Sequence, residues 1–249
     1  MLENKGYAAT LGTCSADGYL CSLASQYASV IGWNGVGHPS LPNYLAITSG
    51  STQGCSSDSC ARGRYHTDLM AQLNAAGVPW TMYAESMPTP CDFNDSGNYV
   101  VHHNPAPYYT DATCPARDLP YPGAARLVTT LDGAAPPDLV WITPNNVDNM
   151  HSGTVQAGDA WLRANLPGVL TSSWFTSRNA TVIVTMDEND VDGSGVPMVV
   201  ISNNARGVGA VTMHGNHYGT LRAIEEAFHL ALLGSARSPN YGDIIRYFG

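Results

Sequence analysis

The chain has 249 residues, of which 44% are hydrophobic and 12% charged, and its formal net charge is −9. The hydrophobic share suffices for a substantial core, and no apolar run reaches the roughly 18 residues that a membrane span needs. The negative charge argues against nucleic acid as a partner, because a phosphate backbone attracts basic surfaces. Since no repeat or linker divides the chain, we expect one domain over 1–249.

Predicted strands and helices alternate along the chain. Continuous apolar runs of the buried-strand type occupy 80–85, 138–143, 181–188 and 197–203. Helical patterns occupy 41–49, 66–76, 123–132, 156–165 and 217–231. This order predicts a doubly wound α/β fold, in which a mostly parallel sheet has helices on both faces as an α/β/α sandwich.

Two segments depart from this regular pattern. Residues 86–122 form a long stretch with little periodicity, and loops of that length in compact domains are more often functional than idle. The opening "MLENKGY" has only two residues ahead of Glu3 and Asn4. If these polar groups sit at a strand's end, most of that strand is missing or very short.

Six cysteines are spaced so that neighbouring ones bracket polar, turn-rich loops. Sequential pairing is one of many possible connectivities, and the loops favour it. The predicted disulfides join Cys14 to Cys21, Cys55 to Cys60 and Cys91 to Cys114. Disulfides form in oxidising compartments, so we expect a secreted or periplasmic protein. The chain shows no signal peptide, and we expect that segment to have been removed.

Acidic and amide side chains collect near predicted strand ends, where ligands bind in parallel α/β sheets. Asp187 and Glu188 follow the strand at 181, while Glu3 and Asn4 precede the first loop. Crowded carboxylates repel one another unless protons or a cation neutralise them. A divalent metal held by these four oxygen donors is the simplest solution, although a strand-end Asp-Glu pair is equally often a turn or helix cap.

The stretch "GHPSLPNY" supports two interpretations of Ser40. Serine is a favoured helix cap, and a proline soon after it fits the first turn of a helix. The same position also faces free backbone N–H groups and the positive end of the helix dipole, which suits a phosphate. Ser40 is therefore a candidate nucleophile as well as a candidate cap.

Histidines at several places are candidates for phosphate binding or proton transfer. His102 and His103 are adjacent and precede Asn-Pro in an irregular loop, where they have little structural reason to occur together. His151 lies three residues after Asp148, a spacing that an Asx-turn would also explain. His217 comes directly before the last long helix.

Six ordered blocks resemble one known family. They are "ENKGY", "GHPSLPNYLAITSGS", "HHNPAPYY", "ITPNNVDNMHSGTVQAGDAWL", "TMDEND" and "GNHYGTLRAIEEAFHL". Together they resemble the phosphoesterase family of acid phosphatases and bacterial-type phospholipases C, within the alkaline-phosphatase-like superfamily. The resemblance covers nearly the whole chain, and it implies a doubly wound α/β sheet.

The resemblance also implies roles for individual residues. Ser40 would be the nucleophile, with Asn43, His102 and His38 binding the substrate. His103, His151 and His217 would bind phosphate or transfer protons. One divalent ion (Mg, Ca, Mn or Zn) would be bound by Glu3, Asn4, Asp187 and Glu188.

The implied reaction is hydrolysis of a small phosphate ester or a phospholipid head group through a phosphoserine, by a monomer. Two alternatives stay open at this point. A metal-independent esterase would use Ser40, His217 and Asp187 as a triad, although no G-x-S-x-G elbow is present. A non-catalytic secreted domain would bind a phosphorylated ligand.

Overall fold

The computed structural model describes residues 1–15, 17–110, 113–189, 193–205 and 208–248. Its α-helices, named here in chain order, are α1 Tyr19–Gln26, α2 Ser40–Ser49, α3 Leu69–Ala76, α4 Cys114–Arg117, α5 Ala124–Leu131, α6 Val155–Thr171, α7 Ser173–Thr176 and α8 His217–Ala227. Its strands are β1 Ala28–Asn34, β2 Trp80–Ala84, β3 Asp118–Pro120, β4 Leu139–Thr143, β5 Thr181–Thr185, β6 Met198–Ser202 and β7 Gly209–Asn216. None of the helices in these ranges is long and apolar enough to cross a bilayer.

The strands form two sheets. One has the order β5-β6-β1-β7, with β6 antiparallel to both neighbours and β1 parallel to β7. The other has the order β3-β2-β4 and is wholly parallel. The mixed α/β class with parallel pairing is confirmed, whereas the expected single sheet is divided between β4 and β5.

The amino-terminal residues lie between the two sheets. Leu2 forms an isolated parallel bridge with Met186, just beyond β5. The Met1 amino group donates to the carbonyl of Ile142 in β4 at 2.8 Å. Where a strand was expected before Glu3, the described residues show the isolated bridge at Leu2, and this segment contacts both sheets.

All four strands and all five helices predicted from periodicity are present, with shifted ends. Helix α6 runs past its predicted end and contains Pro167, while Leu166 and Val169 on either side of it are buried. That burial offsets the hydrogen bond that an internal proline removes. Helix α8 ends at Ala227 rather than 231, and His229 beyond it has a left-handed backbone with φ 55°.

Strand β1, which leads to Ser40, escaped prediction. Gly32 lies inside it with φ 94°, and its pairing with β7 shifts register between Ile31 and Trp33. Such a bulge adds a residue and breaks the alternation that identifies a strand in sequence.

The stretch 86–122 is less irregular than expected, apart from residues 111 and 112, which lie outside the described ranges. It contains α4, β3 and two short 3-10 turns, Val101–His103 and Ala106–Tyr108. The disulfide between Cys91 and Cys114 closes it at an Sγ–Sγ distance of 1.92 Å. The first of these turns carries a histidine toward Ser40.

Candidate active site

Ser40 is the first residue of α2 and is 2% exposed. It follows a turn after β1 in which the His38–Pro39 peptide is cis. Asn43 organises this turn: its Oδ1 accepts from the N–H of Val36 at 2.6 Å, and its Nδ2 donates to the carbonyl of Gly37 at 2.7 Å. Both ends of the Asn43 amide are thereby used within the turn. This differs from the expectation that Asn43 binds a phosphoryl oxygen.

The turn lies close to the backbone after β5. A Cβ atom placed on Gly35 would lie 2.9 Å from the carbonyl oxygen of Asp187, closer than side-chain atoms normally approach. A glycine at this position therefore lets the two segments meet. As a result, the start of α2 faces the acidic residues that follow β5.

Oxygen atoms from two separate segments, the amino-terminal one and the one after β5, surround the Ser40 hydroxyl. Ser40 Oγ lies 3.3 Å from Glu3 Oε2, 3.4 Å from Asn4 Oδ1 and 3.5 Å from Glu188 Oε1. The backbone N–H of Asn4 donates to Asp187 Oδ1 at 3.2 Å, which attaches the fourth predicted ligand to the group. The structure thus brings together the residues that sequence reasoning proposed as metal ligands.

Burial makes this acidic group electrostatically unfavourable. Burial raises the pKa of Glu3 well above its ordinary value, and the neighbouring Asp187 raises it further. Burial likewise raises the pKa of Asp187. The pKa of Glu188 rises to about 8, through burial and then through the charges of Asp187 and Asp58. Protons or a cation are needed to neutralise such a cluster.

The donor atoms fit a divalent cation. Asp187 Oδ2 is buried and has no hydrogen-bond partner among the described residues. Asn4 Oδ1 faces only acceptor atoms, which is unfavourable unless a cation lies between them. Without a cation, turning the amide over would let its nitrogen donate to Asp187 Oδ1 and Glu3 Oε2, each at 3.2 Å. An amide oxygen grouped with carboxylates is the donor set that hard cations prefer, so Glu3, Asn4, Asp187 and Glu188 suit Mg²⁺, Ca²⁺ or Mn²⁺.

Three histidines lie in contact beside this cluster. The ring centroid of His103 is 4.4 Å from that of His102 and 5.3 Å from that of His151. Burial lowers the pKa of His103 well below its ordinary value, and the other two histidines lower it further. His103 is therefore neutral at ordinary pH, and its Nε2 lies 3.4 Å from Glu3 Oε2.

Asn149 determines the tautomer of His103. Asn149 Oδ1 accepts from the N–H of His151 at 2.8 Å, which places its Nδ2 3.3 Å from His103 Nδ1. Because an amide nitrogen can only donate, Nδ1 of the neutral ring accepts and Nε2 carries the hydrogen. His103 thus presents an N–H toward the Glu3 carboxylate.

The other two predicted histidines are placed differently. His38 is exposed, and its Nδ1 lies 2.6 Å from Glu188 Oε2. His217 is fully buried, its Nε2 lies 2.5 Å from the backbone carbonyl oxygen of Asp187, and burial lowers its pKa to about 4. His217 therefore lies behind the acidic residues, where it supports the Asp187 backbone.

Sequence reasoning missed three residues that contact the site. Tyr44 donates its hydroxyl hydrogen to Glu3 Oε1. Asp58 Oδ1 accepts from the N–H of Leu41 at 2.9 Å, in the first turn of α2. Asn149 orients His103 as described above. Tyr44 and Asn149 lie inside the sequence blocks that carry the family resemblance. Their closeness in sequence to Ser40 and His151 could have marked them as candidate site residues.

A second group of possible ligand atoms lies outside this site, in Cys91, Cys114 and Asp118. The two cysteines form a disulfide with each other, as Cys14 does with Cys21 and Cys55 with Cys60. A disulfide offers no thiolate to a metal, so this group is structural.

Comparison with known proteins fits this geometry. A model of the Phosphoesterase family matches residues 9–231. The chain belongs to the Phosphoesterase family. It is 30% identical to the phosphatidylinositol-3-phosphatase of Mycobacterium tuberculosis, covering 97% of this chain and 80% of that one. It is 28% identical to an acid phosphatase of Aspergillus fumigatus, covering 76% of this chain but only 43% of the fungal one. The family membership makes this protein a phosphoric ester hydrolase.

Solved structures support the fold. A protein of the alkaline phosphatase superfamily from Vibrio parahaemolyticus superposes with a TM-score of 0.64 at 12% identity, covering 98% of this chain and 68% of that one. At that identity the similarity concerns the fold alone. The expectation of an alkaline-phosphatase-like α/β fold is confirmed.

Proposed function

We propose that this phosphoesterase is a divalent-metal-dependent phosphatase that works through a phosphoserine on Ser40. One observation carries the proposal: Ser40 Oγ, at the start of α2, lies within 3.5 Å of oxygens of Glu3, Asn4 and Glu188. A hydroxyl at a helix start, surrounded by donors for a hard cation, is arranged for attack on phosphorus.

The metal would be held by Glu3, Asn4, Asp187 and Glu188. When bound, a divalent ion supplies Lewis-acid chemistry, lowering the pKa of a hydroxyl and offsetting phosphate charge. The protein holds the four donors in place: Tyr44 orients Glu3, and the Asn4 N–H orients Asp187. His217 supports the Asp187 backbone from behind.

The reaction would proceed in two displacements at phosphorus. Ser40 Oγ gives up its proton to solvent and forms a bond to phosphorus, while the bond from phosphorus to the ester oxygen breaks. The ester oxygen leaves with its electron pair and takes a proton from a histidine or from water, which releases the alcohol. The Nε2–H of His103, together with His102 and His151, faces the charge that develops on the phosphoryl and leaving oxygens. Water then attacks the phosphoserine, releasing phosphate and restoring the Ser40 hydroxyl.

The preferred substrate is a phosphate monoester of a small alcohol or of a lipid head group. The two curated relatives described above are named as phosphatases, and one of them is named for phosphatidylinositol 3-phosphate. A phospholipase C-like diester activity would need room for a second ester arm near His102 and His151. We further propose that the enzyme works in an oxidising extracytoplasmic compartment, since its six cysteines form three disulfides. We also propose that it is a monomer.

The esterase alternative has less support. A triad would require His217 to accept a hydrogen bond from Ser40. In the described chain the ring nitrogen Nε2 of His217 instead contacts the Asp187 backbone, and the acceptors near Ser40 Oγ are oxygens of Glu3, Asn4 and Glu188.

Three chromogenic esters separate the functions: p-nitrophenyl phosphate, bis-p-nitrophenyl phosphate and p-nitrophenyl acetate, each with and without EDTA. A metal-dependent phosphatase hydrolyses the first fastest, loses that rate in EDTA and regains it when a divalent ion is restored. Acetate hydrolysis that resists EDTA would favour the triad instead. Absence of all three activities would favour a non-catalytic binding domain.

A further inference from the structure

The loop over residues 51–67 joins α2 to the segment that carries the adjacent histidines. Near its start, Asp58 Oδ1 accepts from the N–H of Leu41 in the first turn of α2 at 2.9 Å. Near its end, the N–H of Gly63 donates to the carbonyl of Pro107 at 2.8 Å, just past those histidines. The loop is therefore held against both sides of the candidate active site.

Tyr108 lies beside this loop with an unused hydroxyl group. The N–H of Tyr65 in the loop donates to the Tyr108 carbonyl at 3.1 Å. The Tyr108 side chain is 0% exposed, and its hydroxyl has no hydrogen-bond partner among the described residues. Burial raises the pKa of Tyr108 to about 12, so the hydroxyl keeps its hydrogen at ordinary pH. Because buried hydroxyls are normally hydrogen-bonded, this one is available to donate to a bound molecule.

Three charged side chains act on both this hydroxyl and the ring of His102. Burial raises the pKa of Tyr108, the Arg62 charge lowers it, and the charges of Asp95 and Asp58 raise it further. Burial lowers the pKa of His102, while Asp58 and Asp95 raise it and Arg62 lowers it. Since Coulomb interactions weaken with distance, the guanidinium and the two carboxylates lie around the same space.

The two carboxylates are each held in place by one oxygen. Asp95 Oδ1 accepts from the N–H of Val101 at 2.8 Å, as Asp58 Oδ1 does from the N–H of Leu41. In the part of the chain that the structure describes, the Oδ2 atom of each accepts no hydrogen bond, and Arg62 forms no ion pair with a carboxylate. Donors of the N–H and O–H types thus lie beside carboxylate oxygens that can accept.

Hydroxyl groups fit such a mixed set, because each one donates a hydrogen bond and accepts another. A second anionic group on the ligand fits less well, since two carboxylates face a single cation. An apolar group would cover the Tyr108 hydroxyl without giving it a partner, which is costly. The chemistry of these side chains therefore favours a ligand that carries several hydroxyl groups.

We propose that Arg62, Tyr108, Asp58 and Asp95 form a subsite that binds the hydroxyl groups of the alcohol part of the substrate. Its role rests on the proposed phosphatase function, and it selects phosphate monoesters of polyhydroxy alcohols such as sugars. His102 connects the subsite to the reaction centre, since its ring centroid lies 4.4 Å from that of the neighbouring histidine. A polyhydroxy alcohol joined to the phosphoryl group extends past His102 toward Arg62.

Glucose 6-phosphate and cyclohexylmethyl phosphate test the subsite. Both are primary phosphate monoesters attached to a six-membered ring, and only the first carries hydroxyl groups. Release of phosphate in Mg²⁺ or Mn²⁺ gives kcat/KM for each ester. The sugar ester should have at least about a tenfold higher kcat/KM, because a site built to bind hydroxyl groups rejects an analogue that lacks them.

Two variants assign this preference to the subsite. Arg62→Gln should lower the ratio of the two kcat/KM values at least about fivefold, mainly through KM for the sugar ester. Arg64→Gln is the matched control, since it removes the same charge two residues further along the loop, and it should keep the ratio. Tyr108→Phe should lower the ratio without lowering Tm, because the hydroxyl has no partner within the described fold.

Equal kcat/KM for the two esters would overturn the proposal. An equal loss of preference in Arg62→Gln and Arg64→Gln would also overturn it, because a general charge effect would then explain the result. Calorimetric titration of Ser40→Ala with each ester makes the same comparison without turnover. Tighter binding of the sugar ester in a protein that hydrolyses neither ester would support the subsite and contradict the phosphatase function.

Discussion

Tyr44 donates its hydroxyl hydrogen to Oε1 of Glu3, one helical turn after Ser40 on the same helix. Helix α2 therefore carries the proposed nucleophile and also the group that orients a proposed metal ligand. Residues four apart on a helix lie on the same face, so the position of Ser40 and the orientation of Glu3 are coupled through a single rigid element.

Replacing Tyr44 by Phe should weaken divalent-ion binding by about tenfold to a hundredfold, because a carboxylate ligand loses the hydrogen bond that orients it. Calorimetric titration with Mg²⁺ or Mn²⁺ measures the effect. Tyr109→Phe is the matched control, since this buried hydroxyl contacts Thr48 on the same helix, away from the carboxylates. Equal ion affinity in Tyr44→Phe and the unchanged protein would exclude a role for Tyr44 in orienting Glu3.

Replacing Ser40 by Ala should lower kcat at least about a thousandfold and leave the fold intact, because the nucleophile is absent. Acid quenching during turnover, followed by peptide mass spectrometry, should find a phosphoryl group on the Ser40 peptide of the unchanged enzyme only. Ser49→Ala is the control, as this buried serine in α2 bonds to the Leu45 carbonyl. Near-normal turnover in Ser40→Ala would remove the phosphoserine from the mechanism.

The sequence predicted the elements with the strongest patterns and a group of polar residues that lie close together in the structure. The four apolar runs became strands, and oxygens of Glu188 after β5 and of Glu3 and Asn4 in the amino-terminal segment lie within 3.5 Å of Ser40 Oγ. These predictions succeeded because strand ends in parallel sheets meet at one edge, which is a property of the topology and not of side-chain detail.

The supporting residues were harder to predict, because their roles depend on rotamers and on tertiary contacts. The Asn43 amide was expected to bind substrate, but it lies where the turn at 36–37 needs both a donor and an acceptor. Tyr44 contacts Glu3, which lies 41 positions away in sequence, and Asn149 contacts His103, which lies 46 positions away. The gap between β4 and β5 was also unpredictable, since no pattern states which strands are neighbours.

Stability without a divalent ion should fall as the pH rises from about 5 to 8. The pKa of Glu188 is raised from 4.5 to about 8 in the folded state, so within this window the folded chain holds a proton that the unfolded chain has released. Raising the pH then favours unfolding. The raised pKa values of Glu3 and Asp187 act in the same direction.

Calorimetry in EDTA should show Tm falling by up to about 3 °C per pH unit for each such proton. Mg²⁺ or Mn²⁺ should raise Tm more at pH 8 than at pH 5, because a cation favours the ionised carboxylates. Glu188→Gln is the informative variant, since it should flatten the pH dependence. A Tm in EDTA that rises toward pH 8 would contradict the assignment of these carboxyls as buried and uncompensated.

Asn149 holds His103 in the tautomer that points an N–H toward the site, so Asn149→Ala should release that constraint. The other tautomer would then be populated, and the ring would present a lone pair where the reaction needs a donor. We expect kcat for p-nitrophenyl phosphate to fall about tenfold or more with little change in KM, because the hydrogen bond matters most as charge develops.

Asn146→Ala is the control, since that amide in the same loop contacts Ser152 instead. If KM rises and kcat is unchanged, His103 binds the ground-state phosphate and does not stabilise the transition state. Proton-detected NMR of the His103 ring in both variants checks the tautomer directly.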